Sequence, residues 1–199
     1  MKPLRLSICI CSLHERAELL ARLLDCLAKQ NRIDECQILI NVDAGQQTIG
    51  VKRNYMVNDS LGAYVVHIDD DDLVHPSYVE LVLIAIESNP GVHAIAIRGR
   101  RVDTAGQVAP VEFDYRLMSP TFAEGDKDGV IWRSPGHLCP IRSDIARSTM
   151  FPETEPEDLP WVAEVGPKIA TLARAGSEGM VLYSYLWDSK KMYRWDKAK

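Results

Sequence analysis

The stretch His67-Ile68-Asp69-Asp70-Asp71-Asp72-Leu73 decides the fold more than any other part of the chain. It lies at the end of an apolar segment, Tyr64 to Ile68, that has the character of a buried strand. Four adjacent carboxylates begin where this strand stops. Because ligands of open α/β sheets bind at the carboxyl ends of the parallel strands, the aspartates are expected to lie in a ligand-binding cleft.

The four aspartates predict a divalent metal cofactor. Adjacent negative charges repel one another, which favours the binding of a cation. Oxygen ligands suit Mg²⁺ or Mn²⁺, and these ions commonly take one or two carboxylates together with substrate phosphates. The alternative is a solvated turn that caps the next helix, a role open to Asp72. Capping needs only one carboxylate, so we favour the metal site for the cluster as a whole.

Strand and helix patterns alternate on either side of the aspartates through the first half of the chain. Three strands are predicted: Leu4 to Cys11, Gln37 to Val42 and Tyr64 to Ile68. Helices are predicted after each of them: about four turns around Leu19 to Leu27, Val51 to Asn58 and Ser77 to Glu87. The spacing of Ser12 and Glu15 predicts a capping box at the first helix. This order predicts an α/β fold with a mainly parallel central sheet flanked by helices.

The pattern changes after about Arg98, where short strands and loops replace the alternation. The predicted strands are Arg98 to Val102, Gln107 to Phe113, His137 to Ile141 and Val181 to Trp187. The segments between them are a loop at Tyr115 to Gly129, a brief helix at Ser143 to Ser148 and a loop at Phe151 to Pro160. Leu159 to Ala175 is predicted to be helical, with a break at Gly166-Pro167 because proline cannot donate to the helix ladder.

Length and composition favour a single acidic domain. The 199 residues are enough for one compact α/β domain, and the net charge of −5 provides no general footprint for nucleic acid. No apolar run reaches the roughly 18 to 20 residues of a membrane helix, and the N-terminus lacks a cleavage site, so a cytoplasmic protein without a membrane span is expected. Five cysteines without a C-x-x-C pair are expected to be buried thiols.

Several segments, in this order, resemble the GT-A glycosyltransferases of the family 2 type. The resemblance is carried by Leu6 to Gln30, Asp43-Ala44-Gly45, Gly50-Val51-Lys52-Arg53-Asn54 and Ile68 to Pro76, and in the second half by Pro156-Glu157-Asp158-Leu159-Pro160-Trp161. In that family an acidic turn ends the second strand, a D-x-D motif ends a later strand, and an E-D motif opens a helix. The resemblance implies a single GT-A (Rossmann-like) domain over 1–199, with the nucleotide-sugar half at 1–98 and the acceptor half at 99–199.

The resemblance implies a nucleotide-sugar donor and assigns residues to it. Asp43 is expected to accept a hydrogen bond from the donor base, although an aspartate is also common in such a turn. Ser12 is expected near the nucleotide, or as a helix cap. Lys52 and Arg53 are candidates for the diphosphate because both carry phosphate-binding cations. The alternative for these two is ordinary surface charge on a short helix.

The family register also divides the aspartates between metal and nucleotide. Asp71 corresponds to the direct metal ligand, and Asp69 to the partner of the ribose or the metal. Asp70 and Asp72 are alternatives for these roles, because a run of four aspartates leaves the register open. The resemblance therefore implies metal ligands among Asp69, Asp71 and Asp72 and nucleotide contacts at Asp69 and Asp70.

The E-D motif implies a general base at Asp158, with Glu157 as the alternative. Such a base would take the proton of the acceptor hydroxyl, a step worth about 10²- to 10⁴-fold in rate. Either carboxylate is also placed to cap the following helix. His137, His14 and Asp188 are weaker candidates for the site, and Trp132, Trp161 and Trp187 are explained equally well by sugar stacking and by core packing.

The combined interpretation is a metal-dependent glycosyltransferase that uses a nucleoside-diphosphate sugar, with UDP-sugars favoured, and transfers by inversion to an acceptor hydroxyl. The acceptor class stays open among glycans, lipids, proteins and modified bases. Two alternatives remain: a non-catalytic module that binds a nucleotide sugar or Ca²⁺, and a nucleotidyltransferase. The second is disfavoured because Cys11 to Arg16 contains no glycine and so cannot form a Gly-rich phosphate loop.

Overall fold

A computed structural model describes residues 3–103, 105–113, 125–127, 129–133 and 136–187 of the chain. The helices within these ranges are α1 (Ala17–Ala28), α2 (Ile49–Asp59), α3 (Tyr78–Ser88), α4 (Ser143–Ala146) and α5 (Asp158–Val165). The strands are β1 (Leu6–Leu13), β2 (Cys36–Asp43), β3 (Tyr64–His67), β4 (Leu73–Val74), β5 (Ala94–Ala96), β6 (Arg98–Asp103), β7 (Val108–Phe113), β8 (Gly125–Lys127), β9 (Val130–Arg133), β10 (Ile141–Arg142), β11 (Leu172–Arg174) and β12 (Tyr183–Trp187).

The central sheet is mainly parallel, as the alternating pattern predicts. Its six strands lie in the order β11-β5-β10-β3-β1-β2. Only the two-residue β10 runs antiparallel to its neighbours. The register pairs Leu13 with Asp43 and Cys9 with His67, so β1, β2 and β3 all end at the same edge of the sheet.

Helices cover the two faces of this sheet with separate apolar clusters. On one face, α1 and α3 contribute buried side chains such as Leu23, Leu27 and Val82 to the larger cluster. On the other, α2 and α5 contribute Met56 and Trp161 to a second cluster. Burial of these aliphatic and aromatic side chains is the main source of stability for such a layered domain.

A second six-stranded sheet has the order β4-β12-β6-β7-β9-β8. All of its strands except β4 come from the second half of the chain. It begins directly after the aspartates, because β4 pairs with β12 at Leu73 and Val74. The sequence patterns predicted the strands at Arg98 and Gln107 but not this sheet as a unit. The two sheets therefore meet at the aspartate turn, which places the acidic cluster between the two halves of the fold.

The predicted helix over Leu159 to Ala175 is wrong in its second half. The helix ends at Val165, a short 3₁₀ turn covers Gly166–Lys168, and Leu172–Arg174 forms a strand instead. That strand pairs in parallel with β5. The break at Gly166-Pro167 thus ends the helix rather than interrupting it, because the chain gains backbone hydrogen bonds by joining the sheet edge.

Candidate active site

The carboxyl edge of the central sheet gathers most of the residues that the sequence singled out. Ser12 lies near the end of β1, Asp43 ends β2, and the four aspartates follow β3. Strand register alone brings these segments together, since neighbouring strands lie about 4.8 Å apart. This edge of the sheet therefore carries one hydroxyl and several carboxylate groups close together.

The four aspartates fall into two alternating pairs. The side chains of Asp69 and Asp71 are 31% and 26% exposed. Asp70 and Asp72 are buried. Asp69 and Asp71 are therefore the two aspartates of the turn whose side chains keep substantial surface toward solvent.

Asp72 ties the aspartate turn to the second sheet. Its Oδ2 accepts a 2.5 Å hydrogen bond from the Tyr183 hydroxyl, and its Oδ1 accepts one of 2.9 Å from the Leu186 backbone N–H. Burial, together with the nearby charge of Asp69, raises the pKa of Asp72 well above its ordinary value. Both oxygens of Asp72, a residue expected from the sequence among the metal ligands, are therefore occupied by protein donors.

Tyr183→Phe is expected to lower the free energy of unfolding by about 1–3 kcal/mol, because it leaves a buried oxygen of Asp72 without its donor. Urea unfolding would measure the change. Tyr55→Phe is the matched control, since Tyr55 is largely exposed, and it should have little effect. Equal stability of the two variants would show that the Tyr183–Asp72 hydrogen bond does not anchor the turn.

The predicted capping box at the start of α1 does not form. Strand β1 continues through Leu13, and α1 begins at Ala17 without a side-chain cap. The Ser12 hydroxyl donates instead to Asp70 Oδ2 over 2.6 Å. Ser12 therefore links the end of β1 to the aspartate turn.

Arg16 is a site residue that the sequence patterns did not reveal. Its Nε lies 2.9 Å from both carboxylate oxygens of Asp70, and its Nη2 pairs with Asp70 and lies 2.8 Å from Asp71 Oδ2. The pairing across more than fifty residues has no local signal in the chain. Arg16 neutralises part of the acidic turn and keeps a partly exposed guanidinium at its rim.

Lys52 and Asp43 form a buried ion pair next to Ser12. Lys52 Nζ pairs with Asp43 and also donates to the Ser12 carbonyl over 2.8 Å. Gln47 N–H donates to Asp43 Oδ2 over 2.7 Å. Burial acts to raise the pKa of Asp43, but the hydrogen bonds from Lys52 and the backbone outweigh it and lower that pKa below its ordinary value. Lys52, which the sequence nominated for the diphosphate, is thus committed to Asp43.

Arg53 is fully enclosed and joins the two acidic motifs. Its Nη1 lies 2.7 Å from Glu157 Oε1, and its Nη2 lies 3.2 Å from Asp69 Oδ1. The guanidinium carbon is 5.5 Å from the centre of the Phe151 ring. Only 2% of Arg53 is exposed, so this side chain, like Lys52, contacts protein partners and offers almost no surface to a ligand.

The loop that carries the E-D motif is held against α2 by close backbone contacts. Asn54 and Phe151 exchange two 2.8 Å hydrogen bonds between side chain and main chain. Phe151 stacks on Trp161 with ring centres 4.3 Å apart. At Gly50 a Cβ atom would lie 2.0 Å from the Pro152 carbonyl oxygen. Glycine is therefore required at this point of the segment that carries the family resemblance.

Gly50→Ala is expected to destabilise the protein by about 1–3 kcal/mol, the usual cost of forced overpacking, because the obstructing atom belongs to the backbone. Chemical denaturation would measure it. Asn58→Ala, an exposed change in the same helix, provides the control for altered helix propensity. A Gly50→Ala protein as stable as wild type would mean that the loop docks less closely than the structure has it.

The two carboxylates of the E-D motif have different environments. Glu157 is buried against Arg53. Asp158 opens α5, and its side chain is 38% exposed, with Oδ1 accepting a 2.9 Å hydrogen bond from the Leu159 N–H. Asp158 is therefore the carboxylate of the pair that is open to solvent.

His137 lies between the two motifs. Its Nε2 is 3.1 Å from Arg53 Nη2 and 3.7 Å from Asp69 Oδ2, and its Nδ1 is 3.8 Å from Asp158 Oδ2. His14, the other weak histidine candidate, is exposed on the turn before α1. Asp188 lies outside the described residues, as does most of the predicted loop at 115–129.

The carboxylates suit a divalent metal that shares its coordination with a substrate. Within the described ranges, no group of three or more His, Cys, Asp and Glu side chains is placed to hold an ion by itself. Asp69 and Asp71 offer two partly exposed oxygen donors. This donor set fits the habit of Mg²⁺ and Mn²⁺, which take few carboxylates and complete their shell with phosphates and water.

Comparisons with solved structures place this arrangement among known folds. S. aureus TarS superposes with a TM-score of 0.64 over 92% of this chain at 13% identity, and its 1–349 fragment in complex with UDP-GlcNAc gives 0.63 over 92% at 12%. A mannosyltransferase from Pyrobaculum calidifontis, PcManGT in complex with GDP-Man and Mn²⁺, gives 0.56 over 92% at 14%. The chain has a GT-A glycosyltransferase fold.

The likeness to these glycosyltransferase structures is one of fold and spans only part of each of them. The chain covers 37% of full TarS, 58% of the TarS fragment and 56% of the mannosyltransferase. No protein-family model and no curated protein matches the sequence. Among the described helices, none is both long and apolar enough to cross a membrane.

Proposed function

We propose that the protein is a glycosyltransferase that moves a sugar from a nucleoside-diphosphate donor to an acceptor hydroxyl. The observation that carries the proposal is the convergence of the two acidic motifs on His137, with Asp69 and Asp158 on opposite sides of its ring at 3.7 and 3.8 Å. The aspartate turn and the E-D motif therefore lie side by side, so that substrates bound at each of them would meet. Holding both reactants in one cleft is a large part of what a transferase must do.

The base of the donor is proposed to bind at Asp43. The buried Lys52 keeps this carboxylate ionised, and an ionised carboxylate can only accept hydrogen bonds. Asp43 therefore selects a base edge that presents an N–H, as uracil and guanine both do. The family resemblance favours UDP-sugars, and Asp69 is the proposed partner of the ribose or the metal.

Asp69 and Asp71 are the proposed ligands of Mn²⁺ or Mg²⁺, which would neutralise the charge of the leaving diphosphate. Asp72 is left out of the ligand set because it is fully buried and both its oxygens accept protein hydrogen bonds. Arg16 pairs with Asp70 and Asp71 but, unlike the buried Lys52 and Arg53, keeps exposed side-chain surface, so it replaces them as the proposed cation for diphosphate oxygens. Its planar guanidinium suits that contact.

Asp158 is the proposed general base. It would take the proton of the acceptor hydroxyl while the oxygen bonds to the sugar carbon and the diphosphate leaves. Because Asp158 lies on a different loop from the aspartate turn, base and leaving group are proposed to act from opposite sides of the sugar, and the transfer would invert. The acceptor class stays open among glycans, lipids, proteins and modified bases.

A thermal-shift panel of nucleotide sugars with Mn²⁺ tests the donor site. A donor at one hundred times its Kd should raise the melting temperature by roughly 5–10 °C, because binding only the native state stabilises it by about 2.7 kcal/mol. The same donor in chelator should give a much smaller shift. If no nucleotide sugar or nucleoside diphosphate shifts the transition, the proposed donor site is wrong.

A further inference from the structure

His137 lies between the aspartate turn and the E-D motif in a defined orientation. It is buried, and its carbonyl oxygen accepts a 3.0 Å hydrogen bond from the backbone N–H of His67 at the end of β3. The two imidazole rings meet edge to face, with centres 6.2 Å apart and planes at 72°. The His67 ring in turn packs edge-on against Phe151 at 5.4 Å. The surroundings therefore fix which way each ring nitrogen of His137 points.

Arg53 determines which nitrogen of His137 carries the proton. A guanidinium has only N–H donors, so the 3.1 Å contact from Arg53 Nη2 requires a lone pair on His137 Nε2. The same Nη2 donates to Asp69 Oδ1 over 3.2 Å, and Nη1 lies 2.7 Å from Glu157 Oε1, so the guanidinium is held between two carboxylates. The neutral imidazole then has its hydrogen on Nδ1.

The Nδ1–H so assigned faces the carboxylate of Asp158. The separation from Asp158 Oδ2 is 3.8 Å, longer than a hydrogen bond. Contacts of catalytic groups are often long without substrate and tighten in the complex. With His137 on Oδ2 and the Leu159 N–H on Oδ1, each oxygen of Asp158 keeps a second acceptor site, at which the acceptor hydroxyl can bind. The orientation of the Asp158 carboxylate then depends on contacts that run from Asp69 through Arg53 to His137.

We propose that His137 is a positioning residue: held by Arg53 in the Nδ1–H tautomer, it donates to Asp158 and aims that carboxylate at the acceptor. This inference rests on the proposed function, since it assumes that Asp158 is the base. It also gives Arg53 and Glu157 a role, because their ion pair fixes the guanidinium that selects the tautomer. Asp69, the proposed partner of the donor or the metal, and Asp158, the proposed base, are then linked through the His137 ring.

The tautomer can be measured without any substrate. Long-range ¹H–¹⁵N correlation spectra of ¹⁵N-labelled protein distinguish a protonated from an unprotonated ring nitrogen, and the five histidines can be assigned by single substitution. The expected result is a hydrogen on Nδ1 of His137 and a lone pair on Nε2. A hydrogen on Nε2 would overturn the proposal whatever the enzyme does.

Kinetics of two His137 variants test the consequence. Asn keeps an N–H donor near the position of Nδ1, whereas Leu has similar bulk and no donor. His137→Leu should lower kcat about 10- to 100-fold, the scale for losing a hydrogen bond to a charged group, while the donor KM changes less than about twofold. His137→Asn should recover most of that loss. His93→Leu is the control, because His93 lies at the opposite edge of the sheet, just before β5.

The outcomes separate the inference from the function on which it rests. Equal kcat for the Asn and Leu variants, or a loss that appears only in KM, would contradict a role through Nδ1–H. A wild-type protein that transfers no sugar would overturn the proposed function and with it the catalytic role of His137. The NMR result would still decide the hydrogen-bond arrangement by itself.

Discussion

Asp158→Asn is expected to lower sugar transfer by about 10²-fold or more while donor and metal binding stay nearly intact. Asn is close to Asp in shape but cannot take a proton at neutral pH, and a positioned base contributes about 10²- to 10⁴-fold. The side chain is 38% exposed and its protein contacts are few, so the change should cost little stability. Single-turnover rates, together with calorimetry of nucleotide binding, would measure the two effects separately.

Glu157→Gln is the matched comparison for Asp158→Asn. Glu157 is buried and holds Arg53 at 2.7 Å, so this change should reduce stability more than the Asp158 change does. If Glu157→Gln abolished transfer in a folded protein while Asp158→Asn retained most of it, the general base would be Glu157 and not Asp158. If Asp158→Asn only lowered the melting temperature, Asp158 would be a helix cap.

Asp71→Asn is expected to weaken Mn²⁺-dependent nucleotide binding at least about tenfold. Asp71 is one of only two aspartates in the turn with carboxylate surface left for a metal, and an amide oxygen is a poorer ligand than a carboxylate for a hard cation. Electron paramagnetic resonance would measure free Mn²⁺ directly, and calorimetry would measure nucleotide affinity with and without chelator.

Asp70→Asn separates the metal role from the structural role in the same turn. Asp70 is buried, accepts from Ser12 over 2.6 Å and pairs with Arg16. Its loss should lower thermal stability and leave Mn²⁺ binding largely in place. Normal metal binding by Asp71→Asn, or equal nucleotide affinity of the wild type with and without metal, would contradict the proposed metal site.

The first half of the fold was predictable because its signals are local. Periodic leucines in α1 and apolar strands followed by helices each span fewer than fifteen residues. The second sheet was less predictable, because β4 is only two residues long and forms by pairing with the distant strand β12. The segment Leu172–Arg174 shows the limit: its sequence favours a helix, and its pairing with Ala94–Ala96 makes it a strand.

The positions of the acidic residues were predictable from the sequence, but their environments were not. The alternation of buried and exposed aspartates depends on partners far along the chain, such as Arg16 and Tyr183. The same holds for Lys52 and Arg53, whose charge type suggested phosphate contacts. In the structure both are enclosed with carboxylates, because a buried cation is stable only when it is paired.

The most direct test of the central proposal is to identify which bond of a nucleotide sugar the protein breaks. Phosphorus NMR would follow UDP- and GDP-sugars incubated with wild-type protein, Mn²⁺ and mixed acceptors. The predicted product is the nucleoside diphosphate, formed by breaking the bond between the sugar carbon and the diphosphate, and Asp158→Asn should suppress it. Release of nucleoside monophosphate or pyrophosphate, or no turnover of any donor that binds, would contradict sugar transfer.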